Sequence, residues 1–134
     1  MPTKDEHVAK AQGNETFADS IDPTSQPRID WKLVVLFYTA MHYVEAYMAK
    51  AMNMHLRSHT TRDSYISRET NLKKVRIDYA HLKYFGYNAR YELDGFTIKD
   101  IQDAKTYLAN LKAILLPLVT DPPKPTATPI GTTK

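Results

Sequence analysis

The 134-residue chain contains no cysteine, only four glycines, and no apolar run that approaches the roughly 18 residues of a membrane span. The absence of cysteine excludes disulfides, thiol nucleophiles, Cys-x-x-Cys zinc sites and Fe–S clusters, and leaves histidines and carboxylates as candidate metal ligands. The scarcity of glycine argues against a many-turned β-sandwich or barrel. The first residues, MPTKDEHVAKAQ, lack the apolar segment of a secretory signal. We therefore expect a cytoplasmic protein with no membrane partner.

The composition is that of one folded domain with loose ends. Hydrophobic residues make up 43% of the chain and charged residues 25%, the balance of a globular protein. Residues 1–24 show no sustained hydrophobic period, which predicts a flexible N-terminal segment. Residues 117–134 include the sequence DPPKPTATPIGTTK, and its prolines lack amide donors, which predicts a Pro-rich disordered tail. The folded part is then residues 25–116.

Apolar residues recur at helical spacing along this folded part. The predicted elements are three long helices and one short one: 27–54, 61–67, 70–91 and 98–116. Thr97 and Asp100 have the spacing of a capping box, and Pro117 is expected to end the last helix. No period-2 strand is found, so the sequence predicts an all-α helical bundle.

Positive charge is concentrated in the middle of the chain. Residues 1–30 carry three basic and six acidic residues, whereas residues 55–90 carry eight basic and three acidic residues together with three histidines. A basic region of this kind suits a phosphate-bearing partner. The simpler interpretation is the solvated face of a helical protein.

Three short motifs lie on or beside the predicted helices. They are Phe37-Tyr38-x3-His42, Arg57-Ser58-His59-x2-Arg62 and Ala89-Arg90-Tyr91. In this order and spacing they resemble the HEPN-domain family of small bacterial helical-bundle proteins, over about residues 29–116. The resemblance implies an antiparallel bundle that forms a homodimer. It also implies an RNA or nucleotide partner and, in toxin–antitoxin members, an antitoxin partner.

Catalytic HEPN proteins are metal-independent ribonucleases with an Arg-x4–6-His motif, and others bind RNA or nucleotides without cleaving them. Arg76-x4-His81 matches this motif in letters. Five residues at about 100° each place the two side chains roughly 140° apart on one helix, so we interpret the match as chance.

A second set of residues fits phosphodiester cleavage better. His59, Arg62 and His42 are the candidate catalytic residues, because cleavage needs a base, an acid and a cation over the phosphate. The candidate phosphate- or ligand-binding residues are Arg57, Ser58, Arg90 and Tyr38. The simpler interpretation is that His42 is a neutral core residue and that the arginines pair with carboxylates.

His55-x3-His59 has a ligand spacing, but it spans a predicted loop and no HExxH motif accompanies it. We therefore expect no metal site and no cofactor. The leading hypothesis is a HEPN-like protein that binds RNA or a nucleotide. A metal-independent endoribonuclease that uses His59 with Arg57, Arg62 and His42 is the alternative, and a purely structural helical dimer is a further one.

Overall fold

The computed structural model describes residues 1–93 and 95–121, and this part of the chain is all-helical, with no strand. It contains five α-helices and one 3₁₀ turn: α1 Lys4–Ser20, α2 Gln26–Met52, α3 His59–Arg68, the 3₁₀ turn Leu72–Val75, α4 Arg76–Tyr91 and α5 Ile98–Val119. The predicted all-α class is confirmed. Among the described residues, no helix is both long enough and apolar enough to cross a membrane.

Helix α1 occupies most of the N-terminal segment that we expected to be flexible. Thr3 and Glu6 form a capping box, in which Thr3 Oγ1 accepts a hydrogen bond from the Glu6 amide at 3.1 Å and Glu6 Oε1 accepts one from the Thr3 amide at 2.9 Å. The buried residues of α1 are His7, Ala11 and Ala18. This stripe has helical spacing, but it consists of small and polar side chains and so gives no hydrophobic period.

Helix α2 lies at the centre of the bundle and packs against α1, α4 and α5. Its buried residues cover more than one side, as predicted, and include Leu33, Leu36, Ala40 and Val44. The helix ends at Asn53, which adopts the left-handed conformation with φ of 51°. The chain then enters a loop, residues 53–58, that leads into α3.

Helices α1 and α5 run antiparallel. Lys4 near the start of α1 donates a hydrogen bond to the carbonyl of Val119 at the end of α5, at 2.8 Å. At the opposite end, Lys105 of α5 pairs with Asp19 of α1 at 3.3 Å. Pro117 does not end α5 as expected, because one missing amide near a C-terminus removes only one hydrogen bond and the helix continues to Val119. Residues 122–134 of the predicted tail lie outside the described residues.

Helix α4 packs closely on α2 at Gly86. A Cβ atom at this position would lie 2.6 Å from Phe37 Cβ, so only glycine allows the observed approach. Tyr79 of α4 contacts the same Phe37 ring edge-on, with 5.7 Å between ring centroids. This packing places the C-terminal turn of α4 beside Tyr38 of α2.

Candidate functional site

Helix α3 begins at His59, two residues earlier than the sequence suggested. Ser58 Oγ accepts a hydrogen bond from the Thr61 amide at 3.3 Å, which makes Ser58 the N-cap and His59 the first helical residue. Arg62 then lies one turn further on the same side of the helix, and its Nη1 is 3.1 Å from His59 Nδ1. Arg57 lies exposed in the loop just before this cap.

Arg62 is a buried structural residue, with 3% of its surface exposed. Its Nε donates to Glu45 Oε2 at 2.7 Å, and its Nη2 donates to the Leu56 carbonyl at 2.6 Å. Glu45 on α2 is itself 1% exposed, so the two charges neutralise each other away from solvent. The ion pair links α3 and the preceding loop to α2. It also keeps the Arg62 guanidinium buried, where a phosphate at the surface cannot contact it.

His42 contacts His7 of α1 instead of the α3 residues. Its Nδ1 lies 3.1 Å from Nδ1 of His7 on α1. Burial, together with a smaller effect of the nearby His7, lowers the pKa of His42 to about 4, so the ring is neutral at pH 7. His59, in contrast, contacts Arg62 and the ring of Phe37.

His7, Glu45 and His55 form a group that the sequence did not reveal, and we call it the His7 cluster. His7 Nε2 lies 3.2 Å from His55 Nδ1, and His55 Nδ1 lies 3.3 Å from Glu45 Oε1. Burial lowers the pKa of His7, although Glu45 opposes the shift. His7 was missed because it lies in the segment expected to be flexible; the available signal was its helical spacing with Ala11 and Ala18.

Arg90 lies exposed at the end of α4, between two tyrosines. Its Nη1 donates to Tyr38 Oη at 2.5 Å and its Nη2 donates to Tyr91 Oη. The guanidinium carbon also lies 4.6 Å from the centre of the Tyr91 ring. These hydrogen bonds go to neutral phenols, so they fix the position of the guanidinium without cancelling its charge.

Further cations lie on the same side of α4. Arg76, Lys83 and Arg90 are seven residues apart, close to two helical turns, and so form a row with about 10.5 Å between neighbours. Lys83 pairs with Asp63 of α3. Burial lowers the pKa of His59, and Arg62, Lys83 and Arg90 lower it further, which places His59 within electrostatic reach of this row.

Exposed aromatic rings border these cations. Tyr87 and Tyr91 are 55% and 58% exposed, and their ring centroids lie 5.0 Å apart. We call this surface the basic–aromatic face and define it by seven residues: Tyr38, His59, Arg76, Lys83, Tyr87, Arg90 and Tyr91. Three of the predicted site residues belong to this face: Tyr38, His59 and Arg90. Arg62 is buried, and His42 contacts His7 of the His7 cluster.

Arg76 and His81 lie on different sides of α4, as the helical geometry predicts. His81 stacks on Tyr107 of α5, with 4.4 Å between ring centroids. Arg76 lines a recess of about 200 Å³ between α3 and α4. The two side chains therefore face different helices.

Comparison of the chain with protein-family models, with curated proteins and with solved structures finds no match. Membership of the HEPN family therefore stays a prediction that rests on the three motifs.

Proposed function

We propose that the protein is a HEPN-like module that binds single-stranded RNA through the basic–aromatic face and does not cleave it. The observation that carries this proposal is the exposed Arg90 guanidinium, held by the hydroxyls of Tyr38 and Tyr91. A positioned guanidinium presents planar donors that match phosphate oxygens.

The exposed rings supply the second element of RNA binding. Single-stranded nucleic acids bind where cations follow the backbone and aromatic side chains stack on the unpaired bases. Tyr87 and Tyr91 are exposed beside the cation row of α4, so bases and phosphates can be contacted from one helix.

The surroundings of Arg62 favour binding over cleavage. The ribonuclease alternative assigns Arg62 the role of stabilising charge on the phosphorus, and this role needs a guanidinium that substrate can reach. Arg62 is 3% exposed and paired with Glu45. Binding at the basic–aromatic face needs neither Arg62 nor His42.

From the HEPN resemblance we further propose that the protein forms a homodimer and, if it belongs to a toxin–antitoxin system, binds an antitoxin. Sedimentation equilibrium of the purified chain measures the dimer directly. Two copies would double the number of basic–aromatic faces, and RNA long enough to reach both would then bind more tightly than a short oligonucleotide.

The binding test is fluorescence anisotropy of a labelled single-stranded RNA at several salt concentrations. Arg90→Ala should weaken binding about 10-fold and reduce the salt slope by about 0.7, the value for one phosphate contact on a single strand. Tyr91→Ala should weaken binding by about 5- to 100-fold through lost stacking. Lys99→Ala removes an exposed cation of α5 that pairs with Asp103, and serves as the charge-matched control.

RNA affinity that is independent of salt, or equal in Arg90→Ala and Lys99→Ala, would contradict this proposal. The same samples are run on a denaturing gel after incubation in EDTA. Cleavage that persists in EDTA and is lost in His59→Ala would instead favour the ribonuclease alternative.

A further inference from the structure

The His7 cluster joins three separate parts of the chain. His7 belongs to α1, Glu45 to α2 and His55 to the loop that follows α2. His7 and Glu45 are buried, and the His55 side chain is 24% exposed. One ligand atom from each residue lies within 4.8 Å of the other two. The fold therefore converges two imidazole nitrogens and one carboxylate oxygen on one small volume.

Two of the three separations in the cluster match those of neighbouring ligands around a tetrahedral ion, and the third is within 4.8 Å. A zinc–nitrogen bond of about 2.0–2.1 Å at the tetrahedral angle puts neighbouring ligand atoms about 3.3–3.4 Å apart. His7 Nε2 and His55 Nδ1 are 3.2 Å apart, and His55 Nδ1 and Glu45 Oε1 are 3.3 Å apart. An octahedral ion with similar bond lengths would bring adjacent ligands to about 3.0 Å.

The surrounding residues orient the cluster as outer-shell partners orient metal ligands. Arg62 donates to Glu45 Oε2, and the other carboxylate oxygen, Oε1, accepts a hydrogen bond from the Leu56 amide at 3.0 Å and lies 3.3 Å from His55 Nδ1. His42 Nδ1 contacts His7 Nδ1, which leaves His7 Nε2 facing His55. Arg62 and His42, two of the predicted catalytic residues, thus both support this cluster.

We propose that His7, Glu45 and His55 bind one Zn²⁺ ion. Two imidazoles and a carboxylate form a nitrogen–oxygen ligand set that zinc accepts without cysteine. Three protein ligands leave one position of the tetrahedron for water. The ion links α1 to α2 and to the loop before α3, so zinc also stabilises the docking of α1. This proposal shares no residue with the basic–aromatic face and does not rest on RNA binding.

The competing explanation is a hydrogen-bond network that holds no metal. A proton on His55 Nδ1 can be shared between Glu45 Oε1 and His7 Nε2, while a proton on His7 Nδ1 is donated to His42. This arrangement satisfies the same contacts, so the two explanations are separated only by a binding measurement.

The experiment titrates ZnCl₂ into the full chain, first stripped with EDTA, against a competing chromophoric chelator. We expect one equivalent to bind, and X-ray absorption of the zinc-loaded protein to show nitrogen and oxygen ligands only. His55→Gln should weaken zinc binding by more than about 100-fold, beyond the usual loss for an outer-shell partner. His42→Gln, as an outer-shell change, should weaken it by about 10- to 100-fold. Zinc should also raise the Tm of the wild-type chain.

His59→Gln is the matched control, because it removes an exposed histidine four residues along the same segment. Zinc binding lost equally in His59→Gln would place the ion on the His55–His59 pair and overturn the proposal. A wild-type chain that binds no zinc, or a His55→Gln variant that binds it as tightly, would identify a hydrogen-bond network only. Circular dichroism of each metal-free variant verifies its fold, and His55→Asn repeats the test if His55→Gln does not fold.

Discussion

Arg62→Ala should destabilise the fold strongly. The substitution leaves the Glu45 carboxylate, 1% exposed, without its cation, and removes the donor to the Leu56 carbonyl. Breaking a buried ion pair from one side destabilises by about 3–5 kcal/mol. The total free energy of unfolding of a small domain is about 5–15 kcal/mol, so the variant should lose a large part of its stability. At about 4 °C for each kcal/mol, the Tm falls by about 12–20 °C.

The assay is urea unfolding followed by circular dichroism, in EDTA so that zinc does not contribute. Arg57→Ala removes an exposed arginine five residues away and should change the unfolding free energy by less than about 0.5 kcal/mol. Replacing both partners, in Arg62→Met with Glu45→Leu, should destabilise less than the sum of the two single changes, because no unpaired charge remains. An Arg62→Ala variant within about 1 kcal/mol of wild type, or strict additivity in the double variant, would refute the buried pair.

Two further predictions concern α4 and the turn before it. Gly86→Ala should destabilise by about 1–3 kcal/mol in urea unfolding, because the new Cβ meets Phe37 at 2.6 Å, whereas Gly13→Ala meets nothing within 4 Å and should stabilise α1 by about 0.5–1 kcal/mol. Equal effects of the two changes would disprove the close approach of α4. Burial raises the pKa of Glu69, but hydrogen bonds from the Leu72 amide and neighbouring donors outweigh this and lower it overall. Its stabilisation is therefore complete above the unfolded pKa of about 4.5 and is lost as pH falls through the folded value. Unfolding free energies measured between about pH 3 and pH 6 should converge for wild type and Glu69→Gln at the acid end, and a constant difference would argue against this role.

The long helices were predictable because their signals are local. The apolar period of α2 and the capping residues Thr97 and Asp100 of α5 each act within a few turns of helix. Helix α1 was not found, because its buried side consists of His7 and two alanines and has no hydrophobic period. The local signals for it were the capping box at Thr3 and Glu6 and the helical spacing of His7 with Ala11 and Ala18.

The candidate site depended more on tertiary structure. Charge counting indicated the basic middle of the chain, and the motif at Arg90 and Tyr91 does lie on an exposed face. The sequence could not show that Arg62 is buried, since the carboxylate that neutralises it comes from α2, 17 residues earlier. Nothing in the sequence distinguishes Arg57 from Arg62. Only the fold makes Arg57 an exposed cation and Arg62 a buried structural residue.

Local sequence patterns are enough to predict that the described part of the chain is helical and where most of its helices lie, because hydrogen bonding and amphipathic spacing act between near neighbours. Which polar side chains contact one another depends instead on how the helices pack. His7 and His55 are 48 residues apart and come together only because α1 folds back along α2. No local pattern encodes such a contact, since it depends on how whole helices pack.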